Sequence, residues 1–296
     1  MFALLLAMAV PVDPALEELV ALDVRVASVG DRLARSGGCD GVLSGPGWVL
    51  QDIAQYDPKL RRSARNTLQL GDRPTVVAML PGSAAAKAGL RVGDQIETVG
   101  TQAVSPTVQR GSAYQRLGRV EDWIEDGLRS GEVTVRVRRS GFSNPVRLAA
   151  EPGCPSRFQM QPGRQINAEA DGRYVQVTGA LVELTRNDDE LALVLAHELA
   201  HNILGHRVRL KSSGVSRGLF AGFRKSGKLT RQAELEADRM AFTLMARAGY
   251  DVRVAPEFWK RMERKSGPSF LSDGTHPSWR ERIRLAEQSI AEVRPE

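Results

Sequence analysis

Cysteine is nearly absent from this chain: Cys39 and Cys154 are the only two in 296 residues, too far apart in sequence to read as a shared zinc site. They permit one disulfide, if the protein is exported, or two inert buried thiols. No run of about 20 apolar residues occurs, which excludes a helical membrane span, and no internal repeat stands out. Acidic residues are missing from one segment, 207–231, which carries eight basic ones. Without that segment the net charge of +6 turns slightly acidic, so the pI of 9.6 reports a local loop. Only Phe220 and Phe223 interleave it with aromatic rings, and a nucleic-acid surface is excluded. The segment reads either as a flap over a site, able to make peripheral contact with anionic lipid or an acidic substrate, or as a solvated loop.

The start of the chain lacks something too. Met1 to Val10 is apolar and ends in Ala7-Met8-Ala9, an A-x-A-like cleavage site, yet no Lys or Arg precedes the apolar run. Residues 1–14 read as a secretion signal, with an ordinary buried segment as the alternative. The expected location is periplasmic or secreted.

What is present is concentrated between Asn187 and His206. Asp188 is a candidate helix cap, Leu191, Val194, Leu195, Leu199 and Ile203 recur at helical spacing, and Gly205 is placed to end the run. His197 and His201 then lie one turn apart on one face. Two imidazoles so spaced can grip one Zn2+, leaving Glu198 where a carboxylate can take a proton from water that the metal acidifies. His206 is about 140° from His201 on a continuous helix and reads as structural. A second helical pattern, from about Thr230 to Ala248 and closed by Gly249, carries Glu234 and Asp238 on one face. Glu236 stands about 200° away from Glu234 and points elsewhere. Glu234 is the candidate third ligand. Asp238 is the candidate acceptor that fixes the tautomer of a ligand imidazole, against the plainer reading of two solvated acids.

These residues, His197-Glu198-x-x-His201, Glu234-x-x-x-Asp238 and Thr275-His276-Pro277 before Arg282-Ile283, resemble the HtpX/BepA/CAAX-prenyl-protease family, peptidase family M48, over about Gln165 to Ala286. The resemblance implies a zinc endopeptidase. It also puts His276 near the metal, either as an oxyanion donor or as a ligand closing the fourth position of a latent enzyme; a structural histidine at a helix start is the alternative. Within the family's pattern, Asn167-Ala168 begins a hairpin whose edge strand would pair with an extended substrate.

Upstream, Thr75-Val76-Val77, the turn Pro81-Gly82, a short alanine-rich helix, Ala88 to Ile96, a helix near Glu121 to Leu128 and the alternating Val133, Val135 and Val137 resemble a PDZ domain. The resemblance implies capture of an extended peptide, often a C-terminus. Of the glycine-rich carboxylate loop usual in such domains, only Leu68-Gln69-Leu70-Gly71-Asp72 stands in roughly the right place, and Thr101 to Arg119 reads as a long connection. A spacer or lid is the alternative role.

The expected fold class is α+β: a mainly helical zincin-type (gluzincin) metallopeptidase domain with a small β-hairpin or sheet at 156–296, preceded by a β-rich PDZ-like domain at 70–150 and a helix-and-loop segment at 15–69. Glu151 to Pro155 marks the boundary. The expected activity is hydrolysis of extended or misfolded polypeptides with Glu198 as general base. A latent, chaperone-like peptide binder with a closed zinc site is the rival.

Overall fold

Leu16, Leu19 and Val20 and then Val26, Val29 and Leu33 recur at helical spacing, and they form one long helix, α1 (Pro14–Ser36). The computed structural model describes residues 12–107, 114–214, 225–266 and 278–292. His276, the middle of the basic segment and the apolar stretch Met1 to Val10 lie outside the described residues. The chain divides into two compact units: Gly45–Ala150 joined by the chain up to Val24, and Glu151–Glu296 joined by Arg25–Ser44. The helix α1 contributes to both. The segment before the PDZ-like region is therefore shared between the units and does not form a piece of its own.

In the first unit the strand β1 (Trp48–Gln51) precedes α2 (Arg61–Leu68), β2 (Thr75–Met79), α3 (Ala84–Lys87), β3 (Gln95–Val99), β4 (Gln102–Ala103), α4 (Gln115–Arg129), β5 (Glu132–Arg139) and β6 (Phe142–Ala149). The sheet runs β1-β2-β3-β5-β6 in antiparallel pairs, with β4 beside β3. Val133, Val135 and Val137 all point inward from β5, as period-two alternation demands, and pack with Ile96, Val120, Ile124 and Leu128. Leu68–Asp72 runs from the last residue of α2 toward β2. The run that leads into edge strand β1 is Gly45-Pro46-Gly47-Trp48, with Gly47 at φ +77°, which a side chain rarely tolerates. The expected long connection after Thr101 is shorter, because α4 already starts at Gln115. Arg116 on α4 is buried and donates to both oxygens of the fully buried Asp52, just after β1. Asp52 also caps the next turn through Ala54 N at 2.9 Å.

The second unit holds a three-stranded sheet of β7 (Arg157–Gln161), β8 (Ala168–Ala170) and β9 (Tyr174–Thr178), in the order β7-β9-β8. The β8–β9 pair is the expected hairpin; β7, parallel to β9, was not. Helices α5 (Gly179–Leu184), α6 (Asp188–Ile203), α7 (His206–Ser212), α8 (Lys225–Arg247), α9 (Ala255–Ser266) and α10 (Trp279–Glu292) follow. The second half of α1 joins them closely: a Cβ on Gly30 would fall 2.1 Å from the Phe158 ring of β7. Cys39 and Cys154 are joined in a disulfide, 115 positions apart in sequence.

Candidate metal centre

Almost every residue of α6 from Glu190 to Ala200 is buried, so it is the central helix of its unit. Asn187, one residue before the expected Asp188, caps it by accepting from Glu190 N at 3.0 Å. Asp188 instead starts the helix and accepts from Arg25 Nε at 2.7 Å. Both residue types can cap, and the choice falls to the one whose extended backbone (φ −152°) suits the role. Alanines at four-residue spacing, Ala192, Ala196 and Ala200 on α6 and Ala233, Ala237 and Ala241 on α8, are all buried. Small side chains let two packed helices approach closely, which places Glu234 of α8 against the histidines of α6.

The approach brings three ligand-type side chains together. His197, His201 and Glu234 each offer an atom within 4.8 Å of the others. His197 Nε2 and His201 Nε2 stand 3.2 Å apart; Glu234 Oε2 lies 3.3 Å from the first and Glu234 Oε1 3.5 Å from the second. Ligand atoms about 2.0–2.1 Å from a tetrahedral zinc are themselves about 3.3–3.4 Å apart. The imidazole pair matches that spacing, each imidazole meets a different oxygen of the carboxylate, and the donor set of two imidazoles and a carboxylate suits zinc chemically. Glu198 is the one partly exposed residue between Glu190 and Ala200.

Asp238 sits one turn beyond Glu234 and meets His197 Nδ1 at 2.9 Å, which turns Nε2 of that ring toward the cluster. Arg282 of α10, 3% exposed, donates to Asp238 at 2.6 and 3.0 Å and stacks 4.2 Å from the Trp259 ring centroid. Burial alone would raise the Asp238 carboxyl, but the Arg282 charge and the bonds from His197 and Arg282 pull it down to about 2. Burial and Arg282 both disfavour a charged His197; Asp238 and Glu234 outweigh them, and the metal-free imidazole is pushed up to about 9. Burial and the neighbouring His197 charge push His201 down to about 3. Of the two rings, His197 is the one that favours the second, charging proton in the metal-free protein.

Asn202 ties the sheet to the same helix end, accepting from Gly172 N at 2.7 Å and donating to Tyr174 O at 3.1 Å. The β8–β9 turn is thereby fixed beside the C-terminal turn of α6. The described residues bring His197, His201, Glu234 and Asp238 together, and His276 lies outside them. Sequence reasoning missed Asn202 and the partners of His206, for which α6 periodicity holds no signal.

The profile of peptidase family M48 matches residues 143–227 and 224–290, half of the chain. The chain belongs to peptidase family M48. A PDZ-domain profile matches residues 75–139 of this family member. Among M48-type relatives, the mitochondrial metalloendopeptidase OMA1 of Schizosaccharomyces pombe is 29% identical over 143 residues, 41% of this chain and 42% of that protein. The metalloendopeptidase OMA1 of Danio rerio is 31% identical over 158 residues, 42% of this chain and 32% of that protein. The beta-barrel assembly-enhancing protease of Escherichia coli is 26% identical over 262 residues, 75% of this chain and 52% of that protein. The chain spans about half or less of the length of these relatives.

Proposed function

We propose that the chain is a zinc-dependent endopeptidase of zincin type, with His197, His201 and Glu234 as ligands, Asp238 fixing His197, and Glu198 as general base. The observation that carries the reading is the convergence of two imidazoles and one carboxylate, each offering a ligand-type atom within 4.8 Å of the others. Zinc held there would polarise a scissile carbonyl and acidify water. Glu198, one residue from His197 and open to solvent, takes the proton of the attacking water and returns it to the leaving amine. Asp238 accepts from His197 Nδ1 and so keeps the Nε2 lone pair available. Edge strand β8, anchored near the site through Asn202, offers backbone groups to which an extended polypeptide can pair without demand on its side chains.

The substrate class that suits such an edge is an extended or misfolded polypeptide. The PDZ-like unit serves capture or regulation, in keeping with β1 as an edge strand of its sheet. The disulfide favours an oxidising compartment, periplasmic or extracellular. The purified full chain should degrade an unfolded protein such as reduced casein, lose that activity to a chelator and regain it with zinc. Peptide binding that survives the chelator without any cleavage would instead favour the chaperone-like rival.

A further inference from the structure

His206 should face away from His201 if α6 ran on, but the helix does not continue. Gly205 adopts the left-handed conformation at φ +61° and starts α7 on a new course. The break turns the His206 ring back, edge-on to His201 with centroids 4.9 Å apart, and leaves it 1% exposed. His206 Nδ1 lies 2.9 Å from His201 Nδ1. Its other nitrogen, Nε2, lies 3.2 Å from Glu236 Oε2. Glu236 is itself held by Arg209 Nη1 at 2.8 Å and Gln232 Nε2 at 3.0 Å. The same angular offset that keeps Glu236 off the metal face of α8 aims it at α7.

Donor and acceptor bookkeeping then permits one arrangement of protons. A carboxylate only accepts, so His206 must carry its proton on Nε2 and present a lone pair at Nδ1. His201 must in turn carry its proton on Nδ1, which leaves its Nε2 lone pair facing His197 and Glu234. The reverse arrangement would set a lone pair of His206 against the Glu236 carboxylate and put a proton on the atom that must bind metal.

We propose that His206 and Glu236 are positioning residues for His201, forming a relay in which the carboxylate acts through an interposed imidazole to fix the tautomer and ring orientation of that ligand. The inference rests on the zinc reading above. The two histidine ligands are thus held differently: His197 directly by Asp238, His201 at one remove by Glu236. Outer partners of ligand histidines typically contribute 10–100-fold in metal affinity.

The test is zinc affinity of the full chain, prepared metal-free and titrated against a chromophoric chelator. His206→Leu should weaken binding about 10–100-fold, and His206→Asn, whose amide oxygen can accept from His201 Nδ1, should recover most of the loss. Glu236→Leu, at a partly exposed site where folding is secure, should weaken binding in the same direction, with Glu236→Gln closer to wild type because it still accepts from His206. Cobalt-substituted His206→Leu and Glu236→Leu should show shifted visible absorption bands while their metal-free melting temperatures stay near wild type. Wild-type zinc affinity in both leucine variants would overturn the proposal. Wild-type protein that takes up no zinc would overturn the parent reading and, with it, this one.

Discussion

Glu198 carries the sharpest residue-scale expectation. Glu198→Gln should keep zinc yet lose on the order of 10²–10⁴ in peptide-bond cleavage, as for removal of a general base; undiminished turnover of casein would count against the role. Glu234→Ala leaves two imidazoles, which hold zinc poorly, so elemental analysis of that variant should find little metal. The metal-free protein should also show a defined pH window. Asp238 titrates near 2 when folded, below its ordinary value of 3.8, so its contribution is present above about pH 4 and lost as pH falls toward 2. His197 titrates near 9 rather than 6.5, so its contribution is complete below about pH 6.5 and lost as pH rises through 9. His201, held near 3 rather than 6.5, costs stability as pH falls below about 6.5, so urea midpoints of metal-free protein should peak near pH 6.5, and Asp238→Asn should flatten the alkaline fall. The four converging side chains were legible because helical spacing alone puts His197 beside His201 and Glu234 beside Asp238. His206 and Glu236 were not, since their meeting depends on a break at Gly205 that the same spacing rule assumes away, although the glycine itself was visible as a stop.

At the scale of elements, legibility followed the strength of the pattern. The strand β5 alternates cleanly, and its valines were legible for that reason. The strand β1 has only four residues, with its two inner ones buried, and β7 shows no alternation; neither carries a period long enough to read. Both are held by partners distant in sequence, β2 for the first and β9 for the second. The end of β1 is further pinned by Asp52 and Arg116, both buried, whose pairing links it to α4. Breaking a buried pair from one side strands a charge, so Arg116→Met should cost about 3–5 kcal/mol in chemical denaturation. Asp52→Asn together with Arg116→Met should cost less than the single change, because no charge is then left without its counter-charge.

At the scale of the molecule, the units proved less sequential than the chain. A Pro/Gly-rich passage announces the boundary at Glu151, but nothing local at Arg25–Ser44 says that this stretch joins the later unit rather than the earlier one. Its membership is decided by long-range packing such as Gly30 against Phe158, and by the bond between Cys39 and Cys154. Reduction, or Cys39→Ser with Cys154→Ser, should lower stability by up to about 4–5 kcal/mol, the chain-entropy value for so long a closed loop. A thermal melt with and without reductant reads this directly.

The same bond makes a hostage of everything between its ends. Residues 40–153 form one closed excursion whose ends, Cys39 and Cys154, are clasped covalently with their Cα atoms 5.0 Å apart. A single nick anywhere inside that excursion cuts the polymer in two without releasing a fragment. Cutting the full chain once, at a site-specific protease sequence inserted between residues 45 and 150, should accordingly give one intact band on a non-reducing gel and two shorter ones once thiol is added.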